Sequence, residues 1–155
     1  MIEVSGVVKD FKISRGLFRG KDVLRAVDDV SLTIESGEVL AIVGESGCGK
    51  TTLARIILGL LPPDLGEVKF NGAALPDFKK LELARLVQPI FQDPYSSLNP
   101  RKTIGEIIDL PLRVQGSRGG TDLKKLTLEN MDLVGLHSRM YDQYPNQLSG
   151  GQRQR

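Results

Sequence analysis

The sequence predicts an α/β fold with an N-terminal antiparallel β part and a helical insert in its second half. Two observations lead to this prediction. A continuous apolar run at residues 39–43 is followed by a glycine-rich loop and then by apolar residues at helical spacing. Strand-like alternation precedes this run, and helix-start signals without a strand pattern between them follow residue 100.

The N-terminal part predicts two antiparallel strands. Residues 2–13 form the first, with Ile2, Val4 and Val8 on one face. A basic, glycine-containing loop follows at residues 15–21. Residues 30–34 then alternate between apolar and polar side chains, which is the period-two pattern of a half-buried strand.

The centre of the sequence predicts a strand, a loop and a helix. Residues 39–43 are apolar and rich in β-branched side chains, as a strand buried on both faces should be. Residues 44–51 fit G-x-x-x-x-G-K-[ST] at every fixed position. The helix after it has an apolar face at i, i+3, i+4 and i+7, formed by Leu53, Ile56, Ile57 and Leu60. This context predicts a phosphate-binding loop; the alternative is a glycine-rich turn that binds nothing.

Each residue type in this loop suits a phosphate ligand. Glycines bring backbone N–H groups close to phosphate oxygens, and the helix start adds unpaired donors and a positive dipole end. Lys50 would reach the β- and γ-phosphates, Thr51 would ligate Mg²⁺, and Thr52 would hold the α-phosphate side. The predicted nucleotide-binding residues of the loop are Gly44, Ser46, Gly47, Gly49, Lys50, Thr51 and Thr52.

Four further elements are predicted between the loop and residue 120. Pro62 and Pro63 end the first helix, and residues 66–72 form a strand closed by an Asn-Gly turn. Residues 79–86 form a short helix. Residues 87–91 form the next strand, at an edge or with an irregularity, because Pro89 lacks a backbone donor. After a polar loop, Thr103 and Glu106 form a capping box that starts another helix.

The last part predicts a helix and a second anion-binding helix start. Residues 122–134 form the helix, which Gly135 ends, with Leu123, Leu126, Met131 and Val134 facing inward. Ser149 and Gln152 have the spacing of a capping box, and the two glycines between them leave the backbone N–H groups uncovered. The alternative is an ordinary Ser-Gly-Gly loop.

Composition excludes several classes of protein. The 155 residues suffice for one domain, and 40% hydrophobic and 26% charged residues are ordinary for a soluble protein. A net charge of +2 without a Lys/Arg-rich run argues against nucleic acid as a partner. The single Cys48 excludes a disulfide framework and a multi-cysteine zinc site. We expect a cytoplasmic or peripheral protein, because no apolar run reaches a bilayer-spanning length and no signal peptide is apparent.

The phosphate-binding loop, Gln92 and the Leu-Ser-Gly-Gly-Gln motif at residues 148–152 occur in this order. With these three motifs in this order, the whole chain resembles the ATP-binding subunit of ABC transporters. Residues 91–101 are similar to the corresponding segment in the ATPases of dipeptide, oligopeptide and nickel importers. The resemblance implies a P-loop NTPase core, with the β part and P-loop core at residues 1–92. Residues 93–155 would hold the Q-loop, the helical subdomain and the signature motif.

The resemblance also assigns roles to single residues. Phe11 would stack on adenine, although it could instead be a plain core aromatic. Lys50 and Gln92 would serve catalysis, and Gln92 would sense Mg²⁺ and the attacking water. In the family, two ATPase subunits sandwich two ATP molecules head to tail, so the signature would cover the nucleotide of the partner subunit. Its residues are Ser149, Gly150, Gly151 and Gln152.

The function implied is that of an ATP-binding and ATP-hydrolysing motor subunit of an importer for peptides or related small solutes. It would lie peripherally at the cytoplasmic face of the cell membrane. Its partners would be a second ATPase subunit, the membrane-spanning permease subunits and, indirectly, an extracytoplasmic solute-binding protein. The alternatives are a truncated non-catalytic remnant and an ABC ATPase that acts outside transport.

The sequence departs from the family pattern at its end. The second acidic motif, which supplies the general base, and a later histidine do not occur in these residues, which end at Arg155 inside the signature helix. We therefore expect an incomplete domain that by itself binds nucleotide weakly or not at all and does not hydrolyse it. His137 precedes the signature and is expected at the surface. Asn146 and Gln147 replace a His-Glu pair that is common in the subfamily.

Overall fold

The computed structural model describes residues 1–14, 21–91, 93, 97–114 and 121–155. The described residues form two compact units, Met1–Pro89 and Ile90–Arg155. Most of the predicted basic loop, residues 15–20, and the predicted site residue Gln92 lie outside the described residues.

The first unit contains a four-stranded antiparallel sheet. Its strands are β1 (Ile2–Ser14), β2 (Lys21–Ile34), β3 (Leu65–Phe70) and β4 (Ala73–Ala74), in the order β2-β1-β3-β4. β1 pairs with β2 on one side and with β3 on the other. The two antiparallel strands predicted before the phosphate-binding loop are therefore confirmed.

A bulge in β1 changes which of its side chains face the core. Gly6 has a φ of 56°, and the β1–β2 register shifts between Val4 and Val7. A bulge interrupts the period-two alternation, so Val4 and Val7 are both buried. A Cβ on Gly66, which has a φ of 79°, would meet the carbonyl oxygen of Gly6. The prediction from simple alternation missed Val7 because the sequence pattern does not reveal the bulge.

The predicted Asn-Gly hairpin is confirmed. Asn71 and Gly72 have φ angles of 49° and 83°, which is the left-handed pair of a type I′ turn, and they join β3 to β4. The chain then forms a short 3₁₀ turn at Leu75–Asp77 and helix α2 (Lys80–Leu86). This helix confirms the one predicted at residues 79–86.

Helix α1 (Lys50–Ile57) covers one face of the sheet. Leu53 and Ile56 are buried, as the helical spacing predicted, and they join one hydrophobic core with residues of β1, β2, β3 and α2. The helix is shorter than predicted because Gly59, with a φ of 66°, turns the chain before the two prolines are reached. Leu60 consequently lies outside the helix and is exposed.

Two predicted strands are wrong. Residues 39–43 and 87–91 have no regular secondary structure, and Val39 and Val43 are 94% and 87% exposed. A strand exists only when a neighbour accepts and donates its backbone hydrogen bonds. Within the described ranges no strand pairs with either segment. The apolar side chains of residues 39–43 therefore remain exposed. In residues 87–91, Pro89 also lacks the backbone donor that strand pairing needs.

The second unit is helical. Its helices are α3 (Ile104–Val114), α4 (Thr121–Leu133) and α5 (Gly150–Gln154), with 3₁₀ turns at Ser138–Met140 and Pro145–Gln147. The predicted capping box starts α3: the backbone N–H of Thr103 donates to Oε2 of Glu106 at 2.9 Å, and that of Glu106 donates to Thr103 Oγ1 at 3.3 Å. The helix predicted at residues 122–134 is confirmed, and Gly135 follows it with a φ of 68°.

The core of the second unit differs in part from the prediction. It contains Ile104, Met131, Leu136, Met140 and Leu148, and Leu123 is also buried. Leu126 and Val134 were predicted to face inward and are instead exposed. Thr127 is fully buried on this helix, as Met131 is, because its hydroxyl group has a buried acceptor.

That acceptor is Asp109, a buried carboxylate of α3. Its Oδ1 accepts a hydrogen bond from Thr127, and its Oδ2 accepts bonds of 3.3 Å from the Tyr141 hydroxyl and from Nη2 of Arg113. Burial, and then the charge of Asp109, raise the pKa of Tyr141. The three donors satisfy the carboxylate and join α3, α4 and the turn at residue 141.

We predict that Gly105→Ala destabilises the second unit. A Cβ at this position would lie 2.5 Å from Cζ of Tyr141, and the Gly105 N–H donates to the Tyr141 carbonyl at 2.8 Å, so the ring cannot move away freely. Overpacking of this kind costs about 1–3 kcal/mol. Urea unfolding measures the loss. Gly150→Ala is the control, because nothing lies within 4 Å of that Cβ; equal stability of the two variants would contradict the prediction.

We also predict an acid-dependent contribution from Asp64. The backbone N–H of Asp10, and then the Lys9 ammonium, hold the pKa of the Asp64 carboxyl below its usual 3.8. The folded-state pKa is thus lower than the unfolded one, so the carboxylate stabilises the fold above about pH 4 and this contribution is lost as the pH falls further.

Urea unfolding of the parent protein and of Asp64→Asn across this range tests the expectation. The parent should be more stable at pH 7, and the difference should shrink as the pH falls below about 4. A difference that does not change with pH would mean that the charge of Asp64 contributes nothing.

Candidate phosphate-binding site

The predicted phosphate-binding loop connects residue 43 to the start of α1. Gly47 and Gly49 have φ angles of 84° and 97°, in the left-handed region that favours glycine. Gly49 is also the N-cap of α1, and a Cβ at this position would collide with the carbonyl oxygen of Ala26 in β2. The loop therefore brings the start of α1 against the backbone of β2, which only glycine permits.

The N-terminus of α1 is open to an anion. Gly49 offers no side-chain cap, and the first turn contains no acidic residue. The first N–H groups of a helix have no partner inside the helix, and the helix dipole adds partial positive charge there. An anion would thus meet free donors and no opposing carboxylate in the first turn.

Lys50 is folded back over the loop. Its Nζ donates hydrogen bonds of 2.8 Å to the carbonyl oxygen of Gly44 and 2.6 Å to that of Glu45, and it lies 3.5 Å from Sγ of Cys48. These contacts hold an ammonium group at the edge of the loop. Because carbonyl oxygens do not neutralise it, the charge remains available to a phosphate group.

The remaining loop residues are accessible. Ser46, Gly47 and Thr51 are exposed, and Thr52 is half-buried at the first turn of α1. Thr51 presents a hydroxyl oxygen, which is a suitable ligand for a hard cation such as Mg²⁺. The structure thus brings all seven predicted loop residues onto one continuous segment of the first unit.

A cleft of about 480 Å³ lies beside the loop. Its walls come from β2, from residues 42 and 43, from the loop and from α1. Arg25 also lines it, and its guanidinium group is bonded to Asp10 and Asp28, each at 3.0 Å. The bonds to Asp10 and then to Asp28 raise the pKa of Arg25. Since Arg25 is already paired with two carboxylates, Lys50 is the better candidate to bind an anion.

Phe11 is not a core residue. It lies in β1 opposite Leu24 of β2, its side chain is 37% exposed, and it does not belong to the core cluster. The interpretation of Phe11 as a plain core aromatic is therefore wrong. Nζ of Lys9 lies over its ring, 5.9 Å from the ring centroid. Sequence reasoning did not single out Lys9, because a lysine on a strand gives no signal of its partners.

The signature segment belongs to the second unit. Ser149 is the N-cap of α5: its Oγ accepts from the Gln152 N–H at 3.3 Å, and its own N–H donates to Oε1 of Gln152 at 2.9 Å. The predicted capping box is confirmed. Leu148 anchors the segment in the core, whereas Gly150 and Gly151 are exposed with nothing near their Cβ positions.

The predicted site residues are thus distributed over both units. Phe11 and the loop belong to Met1–Pro89, the signature to Ile90–Arg155, and Gln92 is outside the described residues. His137 is exposed, as predicted. None of the helices in the described ranges combines the length and the apolar character needed to cross a membrane.

The sequence model of the family described as "ABC transporter" matches residues 27–155. The chain belongs to the ABC transporter family. The match includes the phosphate-binding loop and the signature, so both motifs lie in the part of the chain that carries the family pattern.

Curated members of this family are similar over the whole chain. The chain is 39% identical to the dipeptide transport ATP-binding protein DppF of Escherichia coli and covers 47% of it. It is 41% identical to the oligopeptide transport ATP-binding protein AppF of Bacillus subtilis and covers 49% of that protein. Both alignments include 100% of this chain. The chain spans about half the length of the curated relatives it matches.

Solved ABC cassettes confirm the α/β fold. The dimeric structure of MJ0796, a bacterial ABC transporter cassette, has a TM-score of 0.80 at 33% identity and is matched over 99% of this chain and 65% of that one. A dimeric structure of the post-hydrolysis state of MJ0796, bound to ADP and Pi, has a TM-score of 0.79 at 32% identity.

We predict that Gly49→Ala disrupts the site more than Gly37→Ala does. Both glycines have positive φ angles, of 97° and 80°, but only Gly49 faces a carbonyl oxygen where its Cβ would be. The backbone strain alone costs about 1–2 kcal/mol, and the collision should add about 1–3 kcal/mol. Urea unfolding of both variants separates the two costs. Equal destabilisation would show that α1 can move away from β2.

Proposed function

We propose that the protein is the ATP-binding and ATP-hydrolysing motor subunit of an ABC importer for peptides or related small solutes. The observation that supports this most is Lys50 at an uncapped helix start, on a loop that allows no side chain at Gly49. Membership of the ABC transporter family and similarity to dipeptide and oligopeptide transport ATP-binding proteins give the class of process.

The residues present fit ATP and Mg²⁺. The helix start and the Lys50 ammonium supply donors for the phosphate groups, and the Thr51 hydroxyl supplies a cation ligand. Phe11 supplies an accessible ring for the adenine, and Gln92 is the proposed second contact to the cation. Bound Mg²⁺ would neutralise charge on the phosphates during phosphoryl transfer.

The signature supports a two-subunit arrangement. Ser149 and Gln152 satisfy each other through the capping box, so the exposed glycines between them present backbone N–H groups rather than side chains. We place these residues on the nucleotide of a partner ATPase in a head-to-tail dimer. The dimeric MJ0796 cassettes, at about a third identity, support the formation of a dimer.

The proposed assembly places the protein peripherally at the cytoplasmic face of the membrane, bound to permease subunits that receive solute from an extracytoplasmic binding protein. Nucleic acid has no part in it. Lys50, Thr51 and Gln92 contribute binding and positioning, and hydrolysis further requires a carboxylate base that the family resemblance does not assign to any of the 155 residues. These residues by themselves should not turn ATP over.

We predict that Lys50→Ala weakens binding of ATP by about 10- to 150-fold, because a hydrogen bond to a charged group contributes about 1.5–3 kcal/mol. Titration of the intact protein from its native host with MgATP measures the loss. Lys69→Met is the matched control, since Lys69 pairs with Glu67 on β3 outside the loop. Unchanged affinity in Lys50→Ala would overturn the proposed site.

The same variants test hydrolysis and transport. In the native host, Lys50→Ala should abolish uptake of labelled di- and oligopeptides, and Lys69→Met should leave it unchanged. Normal peptide uptake by a variant that no longer binds ATP would argue for an ABC ATPase outside peptide transport. ATP turnover by the 155 residues that disappears with Lys50→Ala would overturn the proposal that they lack the base.

A further inference from the structure

Lys9 is a buried lysine in the centre of the sheet. Only 8% of its surface is exposed, although it lies on β1 two residues before Phe11. A buried ammonium group is unfavourable unless it is paired and hydrogen-bonded. The contacts of Lys9 therefore indicate what the fold gains from keeping it there.

Asp64 fixes the ammonium group. Its Oδ1 accepts from Nζ of Lys9 at 3.0 Å, and its Oδ2 accepts from the backbone N–H of Asp10 at 2.7 Å. The N–H of Asp64 in turn donates to the carbonyl of Val8 at 2.9 Å. Asp64 is thus held to β1 by two backbone hydrogen bonds that flank Lys9, and a third hydrogen bond joins its carboxylate to Nζ of Lys9.

The fixed ammonium group lies over one face of Phe11. The distance from Nζ to the ring centroid is 5.9 Å, within the range of a cation–π contact. The electron-rich face of the ring is attracted to the cation, which restricts rotation of the ring. Since 37% of Phe11 is exposed, the ring also retains accessible surface away from Lys9.

From these contacts we infer that Lys9 is a positioning residue for the nucleotide base. Held by Asp64, it occupies one face of the Phe11 ring and orients the other face for stacking with adenine. The inference rests on the proposed function, in which Phe11 contacts the base of ATP. The inference predicts that Lys9 affects only the contribution of the base to the affinity for ATP. Ordering the ring before binding lowers the free-energy cost of stacking and leaves the phosphate contacts unchanged.

The test compares a ligand that has a base with one that has none. The intact protein from its native host is titrated with MgATP and with magnesium tripolyphosphate. Lys9→Met should weaken ATP binding by about 2- to 5-fold, the range for a cation–π contact of about 0.5–1 kcal/mol to a ring that is partly exposed. It should leave tripolyphosphate binding unchanged, and Lys9→Arg should restore the affinity for ATP. Lys69→Met, the control, should alter neither.

Two further variants keep the test decisive. If Lys9→Met does not fold, Asp64→Asn takes its place in the test. This variant retains the lysine but removes the charge that fixes it, and it should also weaken ATP binding. In a Phe11→Leu background, Lys9→Met should have no additional effect on ATP, because the ring through which it acts is gone.

Equal weakening of ATP and tripolyphosphate, or no change in either, would overturn the inference and leave Lys9 as a structural residue. An undiminished Lys9→Met effect in the Phe11→Leu background would also overturn it. If Phe11→Leu alone weakens ATP binding and Lys9→Met does not, only the inference fails. If neither Phe11→Leu nor Lys50→Ala weakens ATP binding, the proposed function fails, and the inference fails with it.

Discussion

The close approach of Gly49 to the carbonyl of Ala26 is the constraint on which the first unit depends. It places the start of α1 against β2, and Leu53 and Ile56 then enter the core that the sheet provides. The same approach leaves the first turn of α1 without a side-chain cap and brings Lys50 over the loop. A single backbone contact thus joins the packing of the fold to the chemistry of the site.

Buried charges follow the same logic in both units. Lys9 is buried because Asp64 and the ring of Phe11 surround its ammonium group, and Asp109 is buried because three donors satisfy its carboxylate. Each group joins segments that are distant in sequence, so it contributes specificity as well as charge pairing. In the first unit the paired Lys9 contacts Phe11, the proposed adenine contact. In the second unit Asp109 accepts a hydrogen bond from Tyr141, in the turns that precede the signature.

The two apolar segments without regular structure show how far local pattern determines a strand. Residues 39–43 have the composition of a buried strand, but in the described part of the chain nothing pairs with their backbone. Composition gives a segment the capacity to be buried, whereas the ladder of hydrogen bonds comes from other segments. Side-chain pattern alone could not have distinguished the two outcomes.

The sequence by itself determined the elements whose causes are local. The capping boxes at Thr103 and Ser149, the Asn-Gly turn and the glycine-rich loop before α1 each follow from a few neighbouring residues, and the structure contains all four. The loop and the signature motif also sufficed to identify the family. Tertiary structure decided the burial of Val7 and Thr127, the pairing of Lys9 with Asp64, and the accessible position of Phe11. These depend on a bulge, on buried polar partners and on contacts across up to 55 residues of sequence, and no local pattern encodes such partners.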